Sequence, residues 1–150
     1  MDACEAVGQS NRPLLDFYTS LYEYSYKYGY DATHGGFYDS GEFHQPADRR
    51  GKVWWVQAEA LVSALYLYRM TGDAKYAAVF TQTFNFVNKY MADWTYGEWH
   101  GTTSPEGVAS HANKAHAWKC GYHNGRAMIE CLEILKAFKA SQAEFGKATP

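Results

Sequence analysis

Apolar and aromatic residues recur every three or four positions from Leu14 onward: Leu14, Phe17, Leu21, Ser25 and Tyr28, joined by Tyr18 and Tyr22. That is the period of an amphipathic helix. Asn11 can cap it, Pro13 suits a first turn that has no N–H bond to lose, and Gly29 supplies the stop. The pattern predicts a first helix over residues 13–28. The period is lost from Tyr30 to Gly51, where Gly35, Gly36, Gly41 and Pro46 intervene, so this stretch reads as loop with a short strand near residues 36–38. It returns over residues 54–70, with Trp55, Ala58, Glu59, Val62, Leu65 and Tyr66 on one side of a second helix. Thr71-Gly72-Asp73 is then a compact junction in which Gly72 ends one helix and Asp73 caps the next. The third helix reaches Met91, with Tyr76, Phe80, Phe84, Val87 and Met91 expected inward, and so short a link dictates an antiparallel hairpin.

Beyond it, Trp94, Tyr96 and Trp99 alternate with polar residues, and Ser104-Pro105-Glu106-Gly107 has turn chemistry, which together predict a short β-hairpin. A fourth helix is expected over residues 122–140, its buried stripe formed by Met128, Cys131, Leu132, Leu135 and Phe138. The first dozen residues read as a loose lead-in and the tail after Phe145 as frayed. No internal repeat is evident beyond the alternation of helices and glycine-rich loops. The expected architecture is all-α with small β pieces, in one domain over residues 1–150.

Length and composition narrow this further. The chain has 150 residues, 47% hydrophobic and 20% charged, which fits one globular domain. A net charge of −2 gives no pull towards nucleic acid or an anionic membrane surface, and no apolar run approaches the roughly 20 residues needed to span a bilayer. Three cysteines, Cys4, Cys120 and Cys131, argue against a disulfide framework and for a cytoplasmic setting. Aromatic residues are unusually abundant at 17%. They fill helical cores, but Trp and Tyr also offer flat apolar faces with polar edges, which suit sugar rings.

Three clusters hold the candidate chemistry. Lys52-Val53-Trp54-Trp55-Val56-Gln57-Ala58-Glu59 opens the second helix, and Trp55 and Glu59 share a face by their spacing. Gly97-Glu98-Trp99-His100 lies in the expected hairpin. Trp118-Lys119-Cys120-Gly121-Tyr122-His123-Asn124-Gly125-Arg126 opens the fourth helix, with His123 and Arg126 sharing a face. Taken singly, each has a plain structural reading: rim packing, a Glu59–Arg126 bridge, a capping histidine. His116, Cys120 and His123 also step like metal ligands, but they lack a paired Cys or His signature.

Taken together, the three clusters and the glycine-rich YDATHGGFYDSGEF lead-in resemble the N-acylglucosamine 2-epimerase and cellobiose 2-epimerase family over about residues 28–138. The resemblance implies a barrel of six helical hairpins, (α/α)6, here only its C-terminal part. It implies interconversion of sugars epimeric at the second carbon, by removing and returning a proton through an enediolate, with no cofactor. On that resemblance His123 is the catalytic acid/base. Glu59 orients it or grips hydroxyls, Trp55, Trp118 and Trp54 contact sugar, and Arg126 holds oxygen atoms or pairs with Glu59. The family's second catalytic histidine lies in a part that this sequence lacks, and none of His34, His44, His100, His111 and His116 sits in its motif. A fragment, a self-associating short protein and a non-catalytic sugar-binding or self-assembling module are therefore all open readings. In each, Leu61, Val62, Leu65, Ile129, Leu132 and Leu135 need cover, so a homo-oligomer or a missing N-terminal half of the barrel is the expected partner.

Overall fold

The computed structural model describes residue 4 and residues 6–147, with side chains described through residue 141. A 3₁₀ turn, Arg12–Leu14, leads into α1 (Leu15–Gly29). Then come β1 (Lys52–Val53), α2 (Trp54–Thr71), α3 (Ala74–Phe86) with a π-helical turn Val87–Met91, β2 (Thr102–Thr103) and α4 (Tyr122–Lys147). The helices α2 and α4 lie side by side as one layer. The other layer is α1 and α3, joined where Tyr22 meets Tyr76 edge-on and Glu23 accepts from the Tyr76 hydroxyl at 2.9 Å and pairs with Lys75. Between α2 and α3, Gly72 takes a left-handed conformation (φ 73°) and the Asp73 carboxylate accepts from the Lys75 N–H at 2.9 Å, the stop and cap expected of that junction.

Several expectations need correction. Pro13 starts a 3₁₀ turn, and Asn11 accepts from Tyr18 without capping α1. The face of α1 against the core carries Tyr18, Tyr22 and Tyr26, leaving Phe17 and Leu21 exposed. On α4 the buried stripe is Ala127, Cys131 and Ile134, so Leu132 and Leu135, expected inside, stand in the open, as does Phe84 on α3. The β-hairpin is smaller than expected and shifted: the turn over residues 104–107 brings Ala109 back against Thr103 in a single antiparallel bridge. The strands β1 and β2 pair antiparallel, Lys52 with Thr103 and Val53 with Thr102, across the whole α2–α3 hairpin. Residues 36–38 and 94–99 contribute only single bridges, Tyr30 to Phe37 and Ala92 to Trp99. The expected fraying falls partly on residues 148–150, which lie outside the described residues, while the backbone of α4 stays helical through Lys147.

The chain also contains a repeat that its amino-acid pattern hides. Asp31 Oδ1 accepts from the N–H groups of Thr33 and His34 at 3.0 and 3.1 Å. The Gly35 N–H returns to the Asp31 carbonyl at 2.8 Å, and the Asp31 N–H donates to the Gly36 carbonyl at 2.9 Å. Asp93 does the same with Thr95, Tyr96, Gly97 and Glu98, at 2.9, 3.0, 2.8 and 2.9 Å. Positive φ falls at the same two places, Gly35 and Gly36 in one loop and Gly97 and Glu98 in the other. Each loop is stapled by a lysine ammonium that reaches both the second aspartate oxygen and the glycine carbonyl. Lys52 does so at 2.9 and 2.6 Å, and Lys114 at 2.6 and 2.7 Å.

The inner helices repeat as well. Lys52 and Lys119, both buried, stand five residues before Gln57 and Asn124 and seven before Glu59 and Arg126. Gln57 holds both the N–H and the carbonyl of Phe37, at 2.8 and 2.7 Å. Asn124 holds the Glu98 carboxylate at 2.7 Å, beside Lys119 at 2.9 Å. One unit is α1, loop and α2; the next is α3, loop and α4.

Lys52 joins the two units. Its fully buried ammonium also donates to the Pro105 carbonyl at 3.0 Å and lies 3.8 Å from the centre of the Phe86 ring. Burial pushes the Asp31 carboxyl up, but the Lys52 hydrogen bond and those of His34 outweigh it and bring it from an ordinary 3.8 to about 2. Replacing Lys52 by Met strands a buried carboxylate without its cation, and urea unfolding should show a loss of about 3–5 kcal/mol. A depressed folded-state carboxyl contributes its stability above its unfolded value and loses it as pH falls through the folded one. The wild-type protein should therefore lose stability between 3.8 and about 2, and Asp31→Asn should lose less over that window.

Candidate functional site

The repeat sets the site, because it starts two helices side by side with charged residues at equivalent positions. Glu59 lies just beyond the first turn of α2, and on α4 His123 lies in the first turn with Arg126 three residues on, just beyond it. Their registry is fixed lower down, where Ala127, Cys131 and Ile134 pack on Val62, Leu65 and Tyr66 in one buried cluster. The Tyr66 hydroxyl adds a bond to Glu130 at 3.1 Å. Above, Glu98 grips Lys119 and Asn124, anchoring the entry to α4.

A carboxylate, an imidazole and a guanidinium converge there. His123 Nδ1 lies 2.8 Å from Glu59 Oε1, and an Arg126 terminal nitrogen lies 2.6 and 2.5 Å from the two Glu59 oxygens. Burial raises the Glu59 carboxyl; the hydrogen bonds from Arg126 and then His123, with the charge of each, outweigh it and leave it below its ordinary value. Glu59 is therefore ionised at neutral pH and can only accept. The proton between it and the ring must sit on Nδ1, so in the neutral imidazole Nε2 carries the lone pair. This is the geometry of an acid/base histidine held in one tautomer by a carboxylate.

The Trp55 ring is 6.1 Å from the His123 ring at 43°, and Tyr122 lies 5.0 Å from it on another side at 71°. Trp55 and Glu59 also form one wall of a cleft of about 640 Å³ whose other walls are α1 and residues 38–47. Tyr24 and Tyr28 of α1 and Phe43 line that cleft, with Tyr24 and Phe43 stacked at 5.6 Å.

Of the residues expected at a site, the structure brings together Glu59, His123, Arg126 and Trp55. Trp54 is not with them. It is buried among Val87, Met91 and Trp99, so its ring presents no face to the cleft. Trp118 is 87% exposed in the loop before α4 and does not line the cleft. The position after Trp54 on a helix points roughly 100° away, which is why adjacent tryptophans part company. The Tyr24–Tyr28–Phe43 cluster was not anticipated; its signal is the tyrosine at every second position in YEYSYKYGY. His116, Cys120 and His123 do not gather, and no group of three His, Cys, Asp or Glu side chains among the described residues is placed to hold a metal ion.

Paired helical hairpins of this kind are the architecture of (α/α)6 barrel epimerases, the type to which the structural neighbours belong. The family model described as N-acylglucosamine 2-epimerase (GlcNAc 2-epimerase) matches residues 2–127, and the chain belongs to that family. Human N-acylglucosamine 2-epimerase is 30% identical over 123 residues, covering 77% of this chain and 28% of that protein. A cellobiose 2-epimerase of Bacteroides fragilis is 38% identical over 80 residues, covering 53% of this chain and 20% of that protein. The crystal structure of a D-mannose isomerase superposes with a TM-score of 0.72 at 29% identity, over 82% of this chain and 31% of that one. The chain thus spans between a fifth and a third of the length of these relatives.

Arg126→Met removes the largest influence that keeps Glu59 ionised while burial still opposes the charge. Carboxyl carbon NMR should show the Glu59 titration moving to higher pH than in the wild-type protein. An unmoved titration would assign the shift to His123 alone.

Proposed function

We propose that the chain carries one acid/base half of a sugar 2-epimerase, acting on an open-chain aldose of the N-acylglucosamine, cellobiose or mannose type, in the cytoplasm. The observation that carries this reading is the Glu59–His123 contact, which leaves Nε2 as the basic nitrogen beside an aromatic face. Nε2 takes the proton from the second carbon, the C–H electron pair moves into the C1 carbonyl, and an enediolate forms. Return of a proton to that carbon gives the epimer when it arrives on the opposite face. A guanidinium at the same cluster favours the developing oxyanion, and Glu59 favours the imidazolium form that the ring adopts once it holds the proton. Trp55 offers a stacking face to the sugar. Inversion needs a second acid/base group, so the single chain exchanges a proton more readily than it epimerises.

The test is proton NMR of mannose, N-acetylglucosamine and cellobiose incubated with the protein in D2O. Deuterium should enter at the second carbon of at least one of them. His123→Ala should lower that rate at least about a hundredfold, while Trp55→Ala should chiefly weaken sugar binding. Sugar binding without exchange would mark a binding module, and undiminished exchange in His123→Ala would move the base elsewhere.

A further inference from the structure

The repeat shows that both sides of one interface are present twice but used once. With Glu59 aligned on Arg126, the α2 residues Val62 and Leu65 that pack against α4 correspond to Ile129 and Leu132 on α4. These two and the adjoining Leu135 are 66, 52 and 42% exposed. The reverse holds on the other flank. The α4 residues His123, Ala127, Glu130 and Ile134 that face α2 correspond to Val56, Ala60, Ser63 and Leu67. Those four line the open cleft beside α1, with Leu21 of α1 on its far wall. Among the described residues, one flank thus ends in an exposed knob face on α4, and the other in a socket on α2 that α1 covers only in part, leaving the cleft open.

We propose that a second copy of this chain fills the socket, α4 of one copy packing on α2 of the next as α4 packs on α2 within a copy, and that three copies close into a six-hairpin ring. Two observations set the number. The chain supplies two hairpins of an architecture that has six. It also superposes on 31% of the D-mannose isomerase chain at a TM-score of 0.72, so the two hairpins already hold the mutual placement of a complete barrel. A head-to-tail interface whose rotation closes gives a ring, and one that does not gives a filament. Closure covers the open flank of each Glu59–His123–Arg126 cluster with α4 of the neighbouring copy, so each site is complete only in the ring. The interface rests on the repeat geometry and the number on the barrel fold, and neither rests on the proposed chemistry.

Light scattering on the 150-residue protein at micromolar concentration should give three times the 17.0-kDa chain mass. Leu132→Glu spoils only the knob face and Leu21→Glu only the socket, both at exposed positions, so each variant should keep its helical circular dichroism and run as a monomer. Mixed in equal amounts they should form a dimer, because one intact knob face meets one intact socket. A wild-type monomer, a two-fold dimer, a growing polymer, a trimer indifferent to both substitutions, or a mixture that stays monomeric would each overturn the proposal. The monomer outcome would assign both faces to other segments of a longer chain.

Discussion

The ammonium of Lys52 is the constraint on which the rest of the structure depends. It is fully buried, and it is tolerated there because Asp31, two backbone carbonyls and the Phe86 ring surround it. Those partners come from three places: the first aspartate loop, the loop after β2 and the end of α3. One side chain therefore sets where α2 begins, two residues later, and where the second unit lies against the first. The position of Glu59 follows from the start of α2. His123 and Arg126 follow from the packing of α4 on the same helix. Glu59 then closes the arrangement electrostatically, since one carboxylate takes both the imidazole and the guanidinium.

Much of this was legible in the sequence, and the failures have definite causes. Helix α2 reads clearly because its apolar positions are interrupted by little else, and the Gly72-Asp73 junction reads clearly because each residue has a single backbone role there. The buried faces of α1 and α4 were placed only in part: Tyr18, Tyr22, Met128, Cys131 and Phe138 meet the core as expected, while Phe17, Leu21, Leu132 and Leu135 do not. On these helices apolar residues run around more than one face, and one of those faces is exposed. Periodicity alone cannot say which face is covered from within. The convergence of Glu59, His123 and Arg126 was implied by the family resemblance, whereas Trp54 and Trp118 show its limit. A motif gives the residue, but the backbone decides whether its ring faces sugar, core or solvent.

The repeat went unread for a related reason. Asp31 and Asp93 share only the aspartate, a threonine two residues on, a glycine four residues on and an aromatic residue six on. These are the positions where the loop demands a carboxylate acceptor, a left-handed backbone and a buried ring. Everything between them is free to vary. Glu98 shows how far: it adopts a φ of 66° where the first loop has Gly36, and its carboxylate is held by Lys119, Asn124 and the Trp99 N–H. A conformation costly for a side chain is retained where that side chain anchors the helix carrying His123.

The chemistry of the site turns on a single proton. If the ionised Glu59 accepts from His123, the neutral imidazole must be protonated on Nδ1 and bare on Nε2, and the ring is then ready to take a proton from a substrate. Long-range nitrogen–proton NMR of the imidazole rings, recorded where His123 is neutral, reads this directly. A protonated Nδ1 and an unprotonated Nε2 are expected in the wild-type protein, with that preference lost in Glu59→Gln. A His123 ring protonated on Nε2 in the wild-type protein would contradict this.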